Sequence, residues 1–247
     1  MHKAIAVISD IHSNTLALEA VLQDISRRGI NLIVNLGDSL YGPVDPIGTA
    51  GLLMEHANIV HIMGNCDQIL LEESSDSETY RFVKPRITSE IEQWIRSFQD
   101  TWVFEDLLFC HGTPFSNSEY LVEEVNEQGV RYKSPDRLAL GLKEISQKYI
   151  FCGHSHVPKT IFLPDGKLVV NPGSVGLPAY EEEAPFAHAM ESGSPYADYA
   201  IAYKTEAEGW NIEHVMVRYD WEQAGSIAEQ NGRNDYAVAI KTGRATQ

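Results

Sequence analysis

Seven side chains of metal-ligand type stand just past the ends of apolar runs. "AVIS" ends at Asp10, with His12 two residues on. "LIVNLG" ends at Asp38, "IVHIMG" at Asn65 and "DLLFC" at His111. "YIFCG" ends at His154, with His156 two residues on. Taken singly, each has an ordinary explanation, since an Asp after a strand is commonly a turn or a cap. Taken together, several buried polar groups without partners carry a heavy cost unless an ion binds among them. Carboxylates, imidazoles and one amide oxygen, with no thiolate required, suit two divalent transition-metal ions such as Mn, Fe, Zn, Co or Ni. The four imidazoles argue against Ca or plain Mg. Two ions roughly 3.5–4 Å apart, bridged by a carboxylate, form a clamp for in-line phosphoryl displacement.

The elements that must position these groups alternate along the chain. "KAIAVIS" reads as a strand. "NTLALEAVLQDISRRG" reads as a helix, with Leu18, Val21, Leu22 and Ile25 on one face, Asn14 as cap and Gly29 as stop. "INLIVNLG", a helix around 46–57, "ANIVHIMG" and a helix near 87–98 follow. "TWVFEDLLFC" is expected to be a hairpin turning at Glu105 and Asp106. "SPDRLALGLKEISQKY" is expected to be a helix opened by Ser-Pro. "IFCG" is another strand, and "TIFLPDGKLVVNP" a hairpin with an Asp-Gly turn. "YAIAYK" and "WNIEHVMVRY", joined through "TEAEG", read as antiparallel strands before a final helix near Asp220. Such alternation predicts a layered α/β protein with a mixed sheet or two packed sheets, and ligands gather at the carboxyl edge of such sheets. The aperiodic stretches 71–86 and 177–198 read as surface loops or as lids beside a site. A single domain over 1–247 is the expectation.

The net charge is −16. Such a surface disfavours duplex nucleic acid and anionic membranes, with a homo-oligomer left open; a small phosphoester, the partner that the phosphoryl clamp would take, then needs local positive charge, which bound metal supplies. No run approaches membrane-spanning length. The three cysteines, Cys66, Cys110 and Cys152, form no C-x-x-C. A reduced, cytoplasmic protein is the reading that fits.

In order, "DIH", "GD", "GN", an isolated His-Gly and "GHSH", followed by "NPGSVG" at 171–176, resemble the signature of the calcineurin-like metallophosphoesterase superfamily. The spellings "DIHSN", "GNCD" and "NPGSVG" are most similar to its small bacterial and archaeal branch of phosphodiesterases and diadenosine-tetraphosphatase relatives. The resemblance implies a four-layer α/β/β/α sandwich of two mixed sheets. It implies one ion on Asp10, His12 and His156, a second on Asn65, His111 and His154, Asp38 bridging both, and a hydroxide between the ions as nucleophile. The function implied is hydrolysis of phosphodiester or phosphoanhydride bonds in small nucleotide-like substrates. A protein-binding scaffold of the same fold and a Ser/Thr protein phosphatase are the alternatives.

The family commonly places a His after the Gly-Asn, as the acid that protonates the leaving oxygen. Cys66 stands there instead, between Asn65 and Asp67, and these three join Asp38 as the catalytic candidates. General acid catalysis contributes about 10²–10⁴-fold, so its loss favours leaving groups that depart as anions: phosphoanhydrides and aryl esters rather than phosphoserine. Asn14, Asn65 and Asn171 are candidate substrate contacts, and Ser174 a candidate for shaping the pocket. Arg81, Lys84 and Arg86 are candidate clamps for an outer phosphate, though solvated loop charge is the plainer reading. His188 is a candidate acid if its loop folds over the site. His61 and Cys110 read as core, Trp94, Ile95 and Phe98 as a buried helix face, and His2, His56 and His214 as surface or edge residues.

Overall fold

Along β1 (Ala4–Ile8), side-chain alternation sends Ala6 and Ile8 to one hydrophobic cluster and Ile5 and Val7 to another, all four buried. A strand covered on both faces must lie inside a layered molecule. The computed structural model describes residues 4–204 and 209–245; His2 and the connection 205–208 lie outside them. After β1 come α1 (Thr15–Arg27), β2 (Leu32–Asn35), α2 (Pro46–Glu55), β3 (Ile59–His61), α3 (Asn65–Ile69), α4 (Glu78–Val83) and α5 (Ser89–Ile95). The middle holds β4 (Thr101–Phe104), β5 (Leu107–Cys110), β6 (Glu123–Asn126), β7 (Gly129–Tyr132), α6 (Pro135–Gly141), β8 (Tyr149–Phe151), β9 (Lys159–Phe162) and β10 (Leu168–Asn171). The chain continues through β11 (Ala179–Glu182), β12 (His188–Glu191), β13 (Ala197–Lys204), β14 (Trp210–Val217), α7 (Trp221–Gln230) and α8 (Asn234–Thr242).

One five-stranded sheet has the order β14-β13-β1-β2-β3, the other β4-β5-β8-β10-β9. Each holds a parallel trio, β1-β2-β3 on one side of the first and β5-β8-β10 at the centre of the second, with antiparallel strands beside it. Both sheets are therefore mixed. Between them pack Ile5, Val7 and Val34 from one side and Leu107, Phe109, Phe151 and Val170 from the other. The rings of Phe109 and Phe151 stack at 5.1 Å; truncating such a buried ring to Ala costs roughly 3–5 kcal/mol. Leu18, Val21, Leu22 and Ile25 of α1, with Ala224, Ala237 and Ile240 of α7 and α8, cover the outer face of the first sheet. Leu138 and Leu142 cover Leu108, Cys110 and Ile150 on the outer face of the second. The result is the helix/sheet/sheet/helix sandwich that the motifs implied. Parallel pairing in register, Ile8 with Asn35 and Asn35 with His61, puts the carboxyl ends of β1, β2 and β3 at one rim.

Several elements differ from expectation. The stretch 71–86 contains α4, capped by Ser77, and a 3-10 turn over Lys84–Arg86. The stretch 177–198 folds as the β11–β12 hairpin. The helix after Ser134 ends at Gly141, short of the expected span, and Leu142 and Ile145 beyond it pack on the second sheet from a non-helical segment. The final helix is two, because Gly232 takes φ +80° between α7 and α8. Among the described residues no helix is long and apolar enough to cross a membrane.

Candidate metal centre

The rim gathers the residues that the apolar runs pointed to. Asp10, His12 and His156 form one group and Asp38, His111 and His154 another, each with its ligand atoms within 4.8 Å of one another. Asp38 lies between them: its Oδ2 is 3.7 Å from His12 Nε2 and 3.4 Å from His111 Nε2. Asn65 Oδ1 is 3.0 Å from His111 Nε2, and Asp10 Oδ1 is 3.4 Å from His156 Nε2.

Backbone carbonyls orient the imidazoles. Nδ1 of His12 donates to Tyr41 O (2.7 Å), that of His111 to Leu36 O (3.0 Å) and that of His156 to Leu177 O (2.5 Å). With the proton on Nδ1, the Nε2 atoms of His12 and His156 each turn a lone pair inward. The Nε2 atoms of His12 and His156 then face each other at 3.2 Å, acceptor to acceptor. His111 Nε2 lies between Asn65 Oδ1 and Asp38 Oδ2, and Asp10 Oδ1 is buried with no hydrogen-bond partner among the described residues. Buried acceptors that face one another or lack a partner are unfavourable alone and fit divalent cations.

The backbone is held in a costly shape to present these groups. Asp10, His12, Asp38, His154 and His156 all have left-handed φ, between 46° and 68°. A non-glycine residue there costs on the order of 1 kcal/mol. Hydrogen bonds between the loops hold it: Asp10 N to Gly37 O and His12 N to Asp38 O, both 3.0 Å, and Gly176 N to Asp10 O, 3.1 Å. Gly64 is required for contact, since a Cβ there would overlap the Asp38 carboxylate. Ser174 Oγ donates to Asp10 O at 2.7 Å, bracing the first loop from "NPGSVG".

Charge reinforces the arrangement. Burial, then His156, pushes His12 down to about 4; burial, then His111, pushes His154 down to about 3. Both rings are therefore neutral near pH 7, as ligation requires. Burial would raise Asp38, but the surrounding imidazoles outweigh it and hold its carboxyl well below the usual range. Burial also opposes a charge on His111, yet Asp38 outweighs it and raises His111 to about 9, so a cation bound there would displace the proton from its Nε2.

Three expected roles are corrected by position. Asn14 is fully buried: its Oδ1 caps α1 at Ala17 N, and its amide donates to Gly176 O (2.9 Å) and Tyr219 OH (3.2 Å). Asn171 is also buried, donating to Gly153 O and Ser155 Oγ, both 3.0 Å. Both brace the loops rather than face the cleft. Asp67, expected among the catalytic groups, is fully buried too, accepting from the amides of Asp38 (2.7 Å), Ser39 (2.9 Å) and Gly64 (3.2 Å). Cys66 does line the cleft, half-buried. Burial, then Asp38, raises its thiol well above the usual range, so it is a neutral S–H.

The remaining candidates lie as follows. Lys84 Nζ binds Leu70 O, Arg86 lies over the Phe82 ring, and Arg81 sits 3.6 Å from Asp76; none lines the cleft. His61 packs against Trp94 and Phe98, and His214 meets Thr160. His188 reaches Tyr120 OH at 3.0 Å, and the Tyr120 ring stacks on His154 at 4.5 Å.

The cleft over the centre has a volume of about 700 Å³. Tyr41, Tyr120, Tyr180, Tyr236 and Arg233 line it and were not singled out in the sequence. Tyr180, inside the aperiodic 177–198 stretch, donates to His154 O at 3.0 Å and packs on His156 at 4.5 Å. No periodic signal marks these residues.

Comparison with known proteins agrees with this geometry. A curated relative, an uncharacterized protein of Methanocaldococcus jannaschii, is 30% identical, the match covering 89% of each chain. The crystal structure of a metallophosphoesterase from Sphaerobacter thermophilus superposes with TM-score 0.77 at 24% identity, over 98% of this chain and 100% of the other. A hypothetical protein from Pyrococcus horikoshii gives TM-score 0.70 at 17% identity, over 98% and 99%. These two structures show the fold. The model of the calcineurin-like phosphoesterase superfamily domain matches residues 4–191. With the rim ligands, the two mixed sheets and that match in agreement, the chain belongs to the calcineurin-like phosphoesterase superfamily.

Proposed function

We propose that this protein is a dinuclear metal-dependent phosphoesterase acting on phosphodiester or phosphoanhydride bonds of small nucleotide-like substrates. The observation that carries the reading is the convergence of two groups of buried ligand atoms, including the facing Nε2 atoms of His12 and His156, around a carboxylate close to both. Asp10, His12 and His156 would hold one cation, Asn65, His111 and His154 the other, with Asp38 shared. When bound, such cations supply the positive charge that draws in a phosphoryl group and activates water.

The chain's own groups set the rest. The carbonyls of Tyr41, Leu36 and Leu177 fix the imidazoles, and Asp67 fixes the Asp38 loop. Cys66 presents a neutral thiol, a poor proton donor, where the family commonly has a His. That favours leaving groups needing little protonation, such as nucleotide phosphates and phenolates, over phosphoserine. The missing His also suits a protein-binding scaffold, but a scaffold has no use for a strained ring of metal-ligand side chains.

The test is metal-dependent release of nitrophenol from bis(p-nitrophenyl) phosphate by wild type and Asp38→Asn. Activity that needs Mn²⁺ and disappears in the variant supports the reading. Activity untouched by the substitution would point to a contaminant and remove it.

A further inference from the structure

The cleft continues beyond the region that the family model matches. That match ends at residue 191, yet Arg233, Asp235, Tyr236 and Ala239 line the same cleft, brought there by the α7–α8 turn and by α8. The segment that completes this wall is thus separate from the segment that carries the candidate ligands.

Its chemistry is specific. Among the described residues, the cations lining the cleft are Lys133 and Arg233. Lys133 Nζ is taken up by the carbonyls of Tyr120 (2.5 Å) and Leu121 (3.0 Å). Arg233 is 15% exposed, and its guanidinium lies 4.3 Å over the Tyr236 ring. Its Nε and one Nη pair with Asp235 at 2.9 and 2.5 Å, and its other Nη bonds Thr79 Oγ1. A guanidinium has five N–H groups. These bonds engage three, leaving one N–H on each Nη to donate to phosphate oxygens. Stacking on Tyr236 and the pairing with Asp235 order the side chain in advance, so binding forfeits little further entropy. Tyr236 OH also reaches Tyr41 O at 3.5 Å, the carbonyl that orients His12. The Arg233 wall is thereby tied to the candidate centre.

We propose that Arg233 is a specificity-determining residue that binds a second, uncleaved phosphate of the substrate. The substrate class is then a phosphoanhydride such as a dinucleoside polyphosphate, rather than a simple diester. The proposal rests on the phosphoesterase reading above and narrows it. Among the described residues, the other charged side chains lining the cleft, apart from Lys133 and the candidate ligands, are carboxylates such as Glu123, Glu124 and Glu182, and of these carboxylates Asp235 is the one paired with Arg233. They repel an anion, which leaves the Arg233 wall as its place.

The experiment compares wild type, Arg233→Met and Arg233→Lys in Mn²⁺ on diadenosine tetraphosphate and on bis(p-nitrophenyl) phosphate. Taking the variant-to-wild-type ratio for each substrate cancels their different leaving groups. Arg233→Met is expected to lower kcat/KM on the tetraphosphate about 10- to 100-fold, through KM, and to stay within about 2-fold on the diester. Arg233→Lys, lacking the two Nη donors, recovers only part. Calorimetric binding of pyrophosphate to the metal-free protein is expected to weaken in Arg233→Met as well. Equal losses on both substrates, or unchanged pyrophosphate binding with a lower Tm, would reduce Arg233 to a clamp between α8 and α4 and overturn the proposal. Absence of turnover on either substrate by wild type would instead strike the phosphoesterase reading, while pyrophosphate binding still decides the role of Arg233.

Discussion

The Asp67 carboxylate accepts the backbone N–H of Asp38 at 2.7 Å, so the side chain central to the candidate metal centre is held by one buried behind it. Asp67→Asn places an amide donor where three backbone N–H groups already point. Leaving such donors unsatisfied costs about 1–3 kcal/mol, and lost support for a ligand typically costs about 10–100-fold in metal affinity. Urea unfolding and Mn²⁺ titration of the variant check both. Unchanged stability and affinity would mean that the loop holds itself.

Adding metal is expected to stabilise the fold, because the acceptor cluster around Asp10 Oδ1 and the facing Nε2 atoms gains a partner. At 100 times Kd the gain is about 2.7 kcal/mol, roughly 5–10 °C in Tm for a chain of this size. EDTA is expected to reverse it and Asp38→Asn to remove most of it. Calorimetric scans with Mn²⁺, Zn²⁺, Co²⁺ and Ni²⁺ make the measurement, and no response to any of them contradicts the site.

Cys66→His is expected to raise turnover most on substrates with alkoxide leaving groups, by up to about 10²-fold, and little on p-nitrophenyl esters. Cys66 lines the cleft with its amide on Asp38 Oδ1 at 2.9 Å, so the new ring would begin beside the centre. Cys66→Ser is expected to change little, since the thiol is neutral and a poor acid. Rates on alkyl and aryl phosphodiesters distinguish the two. A large loss in Cys66→Ser would show that the thiol takes part.

Burial raises Asp198, on β13, from 3.8 to about 7. Between these values the folded protein holds a proton that the unfolded chain has released. Stability therefore falls as pH rises from about 4 to about 7 and is flat above. The full effect is at most about 4 kcal/mol. Asp198→Asn is expected to stabilise the protein at pH 8 and to change nothing near pH 4, which urea midpoints across that range would reveal. A variant equally stable with wild type at both pH values would show that Asp198 meets no such penalty.

By itself the sequence determined which side chains reach the rim and in what order, because apolar periodicity and parallel-strand topology are local signals with one shared outcome. Asp10, Asp38 and His154 follow strands whose carboxyl ends must lie together once the sheets pair. It could not show the β6–β7 hairpin, where "EEVN" lacks an apolar alternation and Glu123 is buried through a bond to Ser155 Oγ at 2.9 Å. Nor could it show that Asn14, Asn171 and Asp67 face inward as braces, or that Arg233 arrives from the far end of the chain to line the cleft. Those were decided only in the tertiary structure, because the direction of a side chain depends on hydrogen-bond partners up to a hundred or more positions away. A spacing pattern reports the path of the backbone but carries no record of which distant carbonyl or amide a side chain will meet.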